Sequence, residues 1–237
     1  MKNSRDFINS FNKIENTLKE LTGNTTSDAK NIPFTSMIQK AKRSNAVIRR
    51  FESDLREFAE LRNAIVHDSR GHDHAIAEPH LSTVEEIKVL AEKVTEPKKV
   101  FPEFQSKVEA FQVDDTLSSV LKRVRENHYS QFPIFKKDEF YGLLSENGIT
   151  NWLAGVAGED IISIEETSIA EIFKHQEEHD NYIFVSRDTS IYQVEEEFKK
   201  CLEVGRRLDA VLINQKGKRD GGALLGIITS ADILNIT

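Results

Sequence analysis

The sequence predicts an α+β protein: an N-terminal all-α four-helix bundle followed by a duplicated β-α-β-β-α unit. Two observations carry that prediction. Up to Val94 the apolar residues recur every three or four positions, the period of one helix face. From about residue 106 an internal repeat alternates short β-type runs with helical ones. With 237 residues the chain is long enough for one large domain or two small ones with real cores.

The first stripe is Phe7, Phe11, Ile14, Leu18 and Leu21. Asn3 or Ser4 is placed to cap its start, and Gly23 sits where a helix end wants a left-handed residue. Pro33 suits a first helical turn, and Phe34, Met37, Ile38 and Ala41 continue with helical period. A third helix is predicted from Val47, Ile48, Phe51, Leu55, Phe58, Leu61 and Ile65, ended by Asp68-Ser69-Arg70-Gly71. Ser82-Thr83-Val84-Glu85 has the form of a capping box before Val84, Ile87, Leu90, Ala91 and Val94, and Pro97 stops the fourth helix. The bundle is therefore placed at 1–97, joined at Pro97-Lys98-Lys99 to a second domain over 98–237.

In that second domain Asp115-Thr116-Leu117-Ser118-Ser119-Val120 is echoed by Asp188-Thr189-Ser190-Ile191-Tyr192-Gln193-Val194. Each follows a β-type run (Phe111-Gln112-Val113; Tyr182-Ile183-Phe184-Val185) and opens a helix. Each helix leads to an apolar strand, Gln131–Phe135 or Leu208–Ile213, and then to Gly142-Leu143-Leu144 or Gly226-Ile227-Ile228 and another helix. Aligning Thr116 with Thr189, Pro133 with Ala210 and Gly142 with Gly226 gives offsets of 73, 77 and 84. The repeats then run from about 106 to 156 and from about 167 to 237.

Charge is uneven. The net −7 lies wholly in 98–237, whereas residues 1–70 carry 13 basic against 9 acidic residues. An acidic chain is not a general nucleic-acid binder, although the basic excess leaves room for a local anionic ligand. No apolar run reaches the roughly 18–20 residues that span a bilayer, so no membrane partner is expected. The single Cys201 can form no internal disulfide, which fits a reducing cytoplasm. His67, Asp68, His72, Asp73, His74 and His80 crowd together, but their spacing matches no ordered zinc pattern, and a solvated loop without metal is the expectation.

Arg62-Asn63-Ala64-Ile65-Val66-His67 puts Asn63 and His67 on one helix face, with Arg62 about 140° from His67. Arg62 and His67 converge only if the helix ends or deforms there, or if a second chain contributes. The segment resembles the HEPN family, whose pattern of Arg, a polar residue and then four residues to His falls late in a helical bundle. The resemblance implies a metal-independent endoribonuclease acting as a homodimer on an RNA substrate. His67 would move protons, Arg62 would stabilise phosphate charge, and Asn63 would orient one of them. A histidine at a helix end beside an arginine is also ordinary surface chemistry.

The repeat resembles a tandem CBS pair, or Bateman module, over about 106–237, and closes on Gly226-Ile227-Ile228-Thr229-Ser230-Ala231-Asp232. The resemblance implies an adenosyl ligand as regulator (AMP, ATP, S-adenosylmethionine or cyclic di-adenylate) with no other cofactor required. Asp232 would accept from the ribose diol and Thr229 would help with ribose or phosphate, while Ile228, Ala210 and Ile183 would sandwich the adenine. Asp209 would meet the base edge or is simply polar at a strand end, and Arg187, Arg206 and Arg207 are candidate phosphate partners by charge alone, with solvated surface the ordinary role for at least two of them. In the first repeat the equivalent is Ser145-Glu146-Asn147-Gly148, which lacks the carboxylate, so one good site and one degenerate one are expected. Thr229 to Asp232 is equally a local capping box. The function expected is a nucleotide-sensing module coupled to a ribonuclease. The alternative is a non-catalytic sensor or dimeric scaffold that regulates a partner protein.

Overall fold

The helical stripes become α1 (Lys2–Leu21), α2 (Phe34–Ala41), α3 (Ala46–Arg50), α4 (Glu52–Ile65) and α5 (Leu81–Thr95). The computed structural model describes residues 2–24, 32–66, 77–158, 161–175 and 181–234. It divides into two units, one made of Met1–Lys98 with Ser190–Glu196 and the other of Lys99–Thr189 with Glu197–Thr237.

In the first unit α1 lies against α2, α4 and α5. Its Phe7, Phe11, Ile14 and Leu18 are buried beside Met37, Ile38, Leu55, Ile65, Ile87 and Leu90, as the stripes predict, while Leu21 at the helix end is exposed. Gly23 takes the left-handed conformation expected past a helix end (φ 71°).

Three local expectations change. The predicted third helix is two, because Phe51 (φ −109°, ψ 19°) leaves helical geometry between α3 and α4. Asn45 supplies the cap that starts α3, its Oδ1 accepting from Ile48 N at 3.1 Å. The capping box at Ser82 does not form, since α5 already begins at Leu81 after His80. Asn3 and Ser4 are not caps but lie within α1, where Asn3 N (2.9 Å) and Ser4 Oγ (2.5 Å) donate to the Glu78 carboxylate.

The second unit holds α6 (Val100–Glu103), β1 (Phe111–Gln112), α7 (Leu117–Asn127), β2 (Gln131–Lys136), β3 (Glu139–Ser145), α8 (Glu146–Gly155) and α9 (Ile169–Phe173). It continues with β4 (Tyr182–Ser186), α10 (Ile191–Glu203), β5 (Ala210–Asn214), β6 (Gly226–Ile228) and α11 (Ser230–Ile233). The start of α10 clusters with the first unit: Tyr192 meets Phe51 edge-on at 5.3 Å, and Arg49 pairs with Glu196.

Two three-stranded sheets, β1-β2-β3 and β4-β5-β6, share one topology, a parallel pair followed by an antiparallel pair. The duplication is thus a β-α-β-β-α unit built twice. Its internal register corrects the sequence alignment. Thr116 caps α7, and its counterpart before α10 is Ser190, whose hydroxyl accepts from Gln193 N at 3.2 Å, so this offset is 74. Phe132 pairs with Leu144 and Val211 with Ile228, which gives an offset of 79 for the middle strand. Pro133 therefore corresponds to Leu212, and Ala210 to Gln131. The offset of 84 at Gly142 and Gly226 stands.

The first sheet buries one face under helices, and the two sheets bury their other faces against each other. Phe132, Ile134 and Leu144 join Leu117, Val120 and Trp152 in one cluster. Phe140, Leu143, Ala210 and Leu212 form the other, with Tyr182 and Phe184 each 5.0 Å edge-on to Phe140.

The segment preceding each repeat packs on the other repeat. Before the first, Val100 N donates to Thr189 O (2.8 Å) and Ser106 N to Leu225 O (3.2 Å). Before the second, Leu117 N donates to Thr167 O (2.9 Å), and Ile169, Ile172 and Phe173 of α9 sit in the first repeat's cluster.

Candidate functional site

β6 ends at Ile228, and Thr229 has extended geometry (φ −111°, ψ 171°) that turns the chain into α11. Asp232 reaches back so that its Oδ2 accepts from Thr229 N (2.7 Å) and Thr229 Oγ (2.8 Å). The local capping box expected from sequence is thus present, and it holds the carboxylate in place at the strand mouth. Both side chains are half-buried.

Strand pairing decides which other residues share this mouth. Val211 pairs with Ile228, so Ala210 and Asp209 run alongside Thr229. Asp209 is 8% exposed; it pairs with Arg207 and accepts from Asn181 Nδ2 at 2.7 Å. That bond fixes the Asn181 amide, since a carboxylate cannot donate. Asn181 is 3% exposed, and its Oδ1 is buried with no hydrogen-bond partner among the described residues. The sequence reading missed Asn181; the signal was an amide just before a predicted strand whose neighbour strand opens on an aspartate.

Ile183, Val211 and Ile228 form one row across the sheet, on the face away from the partner sheet, whereas Ala210 lies on the facing side. Ile228 and Ala210 are both fully buried, on opposite faces. The expected apolar sandwich of these three residues therefore does not assemble on one face. Arg187 is also displaced: it follows Ser186, which pairs with Asn214, four rungs from the Tyr182–Ala210 pair and so about 13 Å away along the strands. There its guanidinium lies over the Phe101 ring at 4.1 Å and donates to Gln215 Oε1 at 3.5 Å.

The first repeat has the same mouth with different chemistry. Ser145 caps α8, its Oγ accepting from Gly148 N at 3.4 Å, and Gly148 stands where the second repeat has Asp232.

In the helical unit α4 ends at Ile65, with Arg62 in its last turn and Arg62 Nη1 3.4 Å from Asn63 Oδ1. His67, Asp68, His72, Asp73 and His74 lie outside the described residues. Among the described residues no group of His, Cys, Asp or Glu could hold a metal ion, and no helix is long and apolar enough to cross a membrane.

A family model described as CBS domain matches residues 103–155 and 169–236. No curated protein matches the chain. The chain is similar to the solved CBS domain of a bacterial CNNM/CorC-family Mg2+ transporter in complex with ATP (18% identity, 58% of this chain, 84% of that one, TM-score 0.42). It is similar also to a conserved CBS domain protein of unknown function from Thermoplasma acidophilum (18%, 60% and 70%, 0.44). A third likeness is to the CBS domain of a membrane protein from Sphaerobacter thermophilus (15%, 60% and 88%, 0.43).

Proposed function

Because the chain belongs to the CBS-domain family, which matches both of its repeats, we propose that it is a nucleotide-sensing regulator that takes an adenosine ligand at the β6–α11 mouth of its second repeat. The observation that carries this reading is the Asp232 carboxylate, held by two Thr229 donors on Oδ2. A carboxylate has two oxygens and about four acceptor positions, so Oδ1 is available to the paired hydroxyls of a ribose. The Asp209–Asn181 pair beside it offers polar groups for a base edge. Gly148 in the first repeat supplies no such acceptor, which supports one ribose-gripping site per chain.

Thermal melting with AMP, ATP, S-adenosylmethionine and cyclic di-adenylate tests the reading. A ligand at 100 times its Kd adds about 2.7 kcal/mol of stability, and Asp232→Ala is expected to abolish the shift. Four ligands without a shift would overturn the reading.

The second reading is a metal-independent endoribonuclease in the helical unit, working in a homodimer. The end of α4 at Ile65 supports it, because the resemblance requires the helix that carries Arg62 to end or deform in this stretch. RNA cleavage in chelator, lost in both Arg62→Ala and His67→Ala, is the expected result. Its absence in every ligand state would leave a sensor that signals to a partner protein.

A further inference from the structure

α4 and α5 both lie against α1 and leave between them an open groove of about 740 Å3. Its floor is apolar, made of Phe58 and Leu61 from α4 and of Leu90 and Val89 from α5, with Val89 49% exposed. Its rims are acidic: Asp54 and Glu57 on one side, Glu85 and Glu86 on the other, all exposed. Lys93, the groove's one cation among the described residues, lies over the Phe51 ring at 5.3 Å. Some other carboxylates of this unit are paired, Asp6 with Lys88, Glu15 with Lys19, and Glu52 with Lys42 and Arg56. The four rim carboxylates make no ion pair among the described residues.

A second copy laid groove to groove would set like charge against like charge, so the charge pattern selects a cationic occupant. The α5 wall runs from Ser82 to Lys93, about 16 Å at 1.5 Å per residue, which matches three turns of a helix. We propose that this groove is the docking site for a cationic amphipathic helix of a partner protein. Apolar side chains at i, i+3 or i+4 and i+7 would sit on Phe58, Leu61 and Val89, with Lys or Arg reaching the carboxylates of both rims. This surface goes beyond the adenosine reading and does not depend on it.

The test uses the full chain without nucleotide and two labelled 14-residue peptides of identical Leu and Lys content, one with leucines at helical spacing and one scrambled. Fluorescence anisotropy at about 0.15 M salt, where distant charges are screened, should show binding of the helical peptide only. Val89→Asp, and separately the double variant Glu57→Lys/Glu86→Lys, should each weaken it at least tenfold. Asp114→Lys/Glu166→Lys, with the same charge change on the exposed surface of the other unit, should leave it within twofold. Circular dichroism confirms that each variant is folded. Equal binding of the scrambled peptide, an equal loss in the Asp114/Glu166 variant, or no binding would overturn the proposal. So would a dimer in sedimentation that Val89→Asp dissolves, since a second copy would then fill the groove. Because no nucleotide is present, a failed ligand shift and a failed peptide titration are separate results.

Discussion

Gly142 and Gly226 occupy the same place in the two repeats, each where a crossing segment presses on a strand. A Cβ on Gly226 would stand 2.1 Å from the Phe104 carbonyl oxygen, a backbone atom with little freedom to move. On Gly142 it would meet the Phe173 ring at 2.7 Å, and a ring edge can tilt away. Overpacking of this kind costs about 1–3 kcal/mol, so Gly226→Ala should lower the melting temperature by more than Gly142→Ala does. Glu52 gives a second prediction at this scale. Hydrogen bonds first from Lys42 and then from Arg56 hold its carboxyl below the usual carboxylate range. A lowered folded pKa means a contribution fully present above the unfolded value and lost as pH falls through the folded one. Glu52→Gln should therefore melt below the parent at pH 7, and the gap should close on acidification through and below the ordinary carboxylate range. Side chains such as Thr229 and Asp232 were legible in sequence because their spacing is also a capping signal. Asn181 was less so, because its one signal, an amide just before a strand, gains meaning only from a partner 28 residues away.

Among the elements, those fixed by a continuous apolar period were legible, and those fixed by distant contacts were not. The stripes of α1, α2 and α5 predicted their buried residues, apart from the exposed Leu21 and the half-buried Phe34. The break at Phe51 was hidden because its side chain keeps the helical spacing while its backbone leaves it. Register was misread for a similar reason: Thr189 and Ser190 are both plausible caps, and only the Gln193 hydrogen bonds single out Ser190. α9 shows how sequence order can mislead about packing. It lies at the start of the second repeat, yet Ile172 is fully buried in the cluster that holds Trp152. Ile172→Ala should cost about 2–5 kcal/mol. The loss should be read directly from the unfolding transition of Trp152, the protein's sole tryptophan.

For the whole molecule, the fold class and the duplication were readable because each rests on many residues that agree. The contents of the mouth were less so. An offset error of two positions in β5 moved Ala210 into the place of a proline, and Arg187 was chosen by charge while strand pairing carries it to the far end of the sheet. At this scale the ligand prediction can be split by repeat. Asp232→Ala should remove the nucleotide shift, whereas Gly148→Asp should leave the original site working, as titrations of both variants would reveal.

The exchange of leading segments bears on how the chain can be made and cut. A ribosome that has released only residues 106–156 has produced a sheet still waiting for Ile169, Ile172 and Phe173, which come later from the messenger. The second half, expressed from residue 167 onward, would lack the strip around Val100 and Ser106 that donates to Thr189 and Leu225. Neither fragment carries its own lid, so the two repeats are to be made, crystallised or transplanted together, and the start of α10 keeps Phe51 and Arg49 as partners only when the helical unit comes with them.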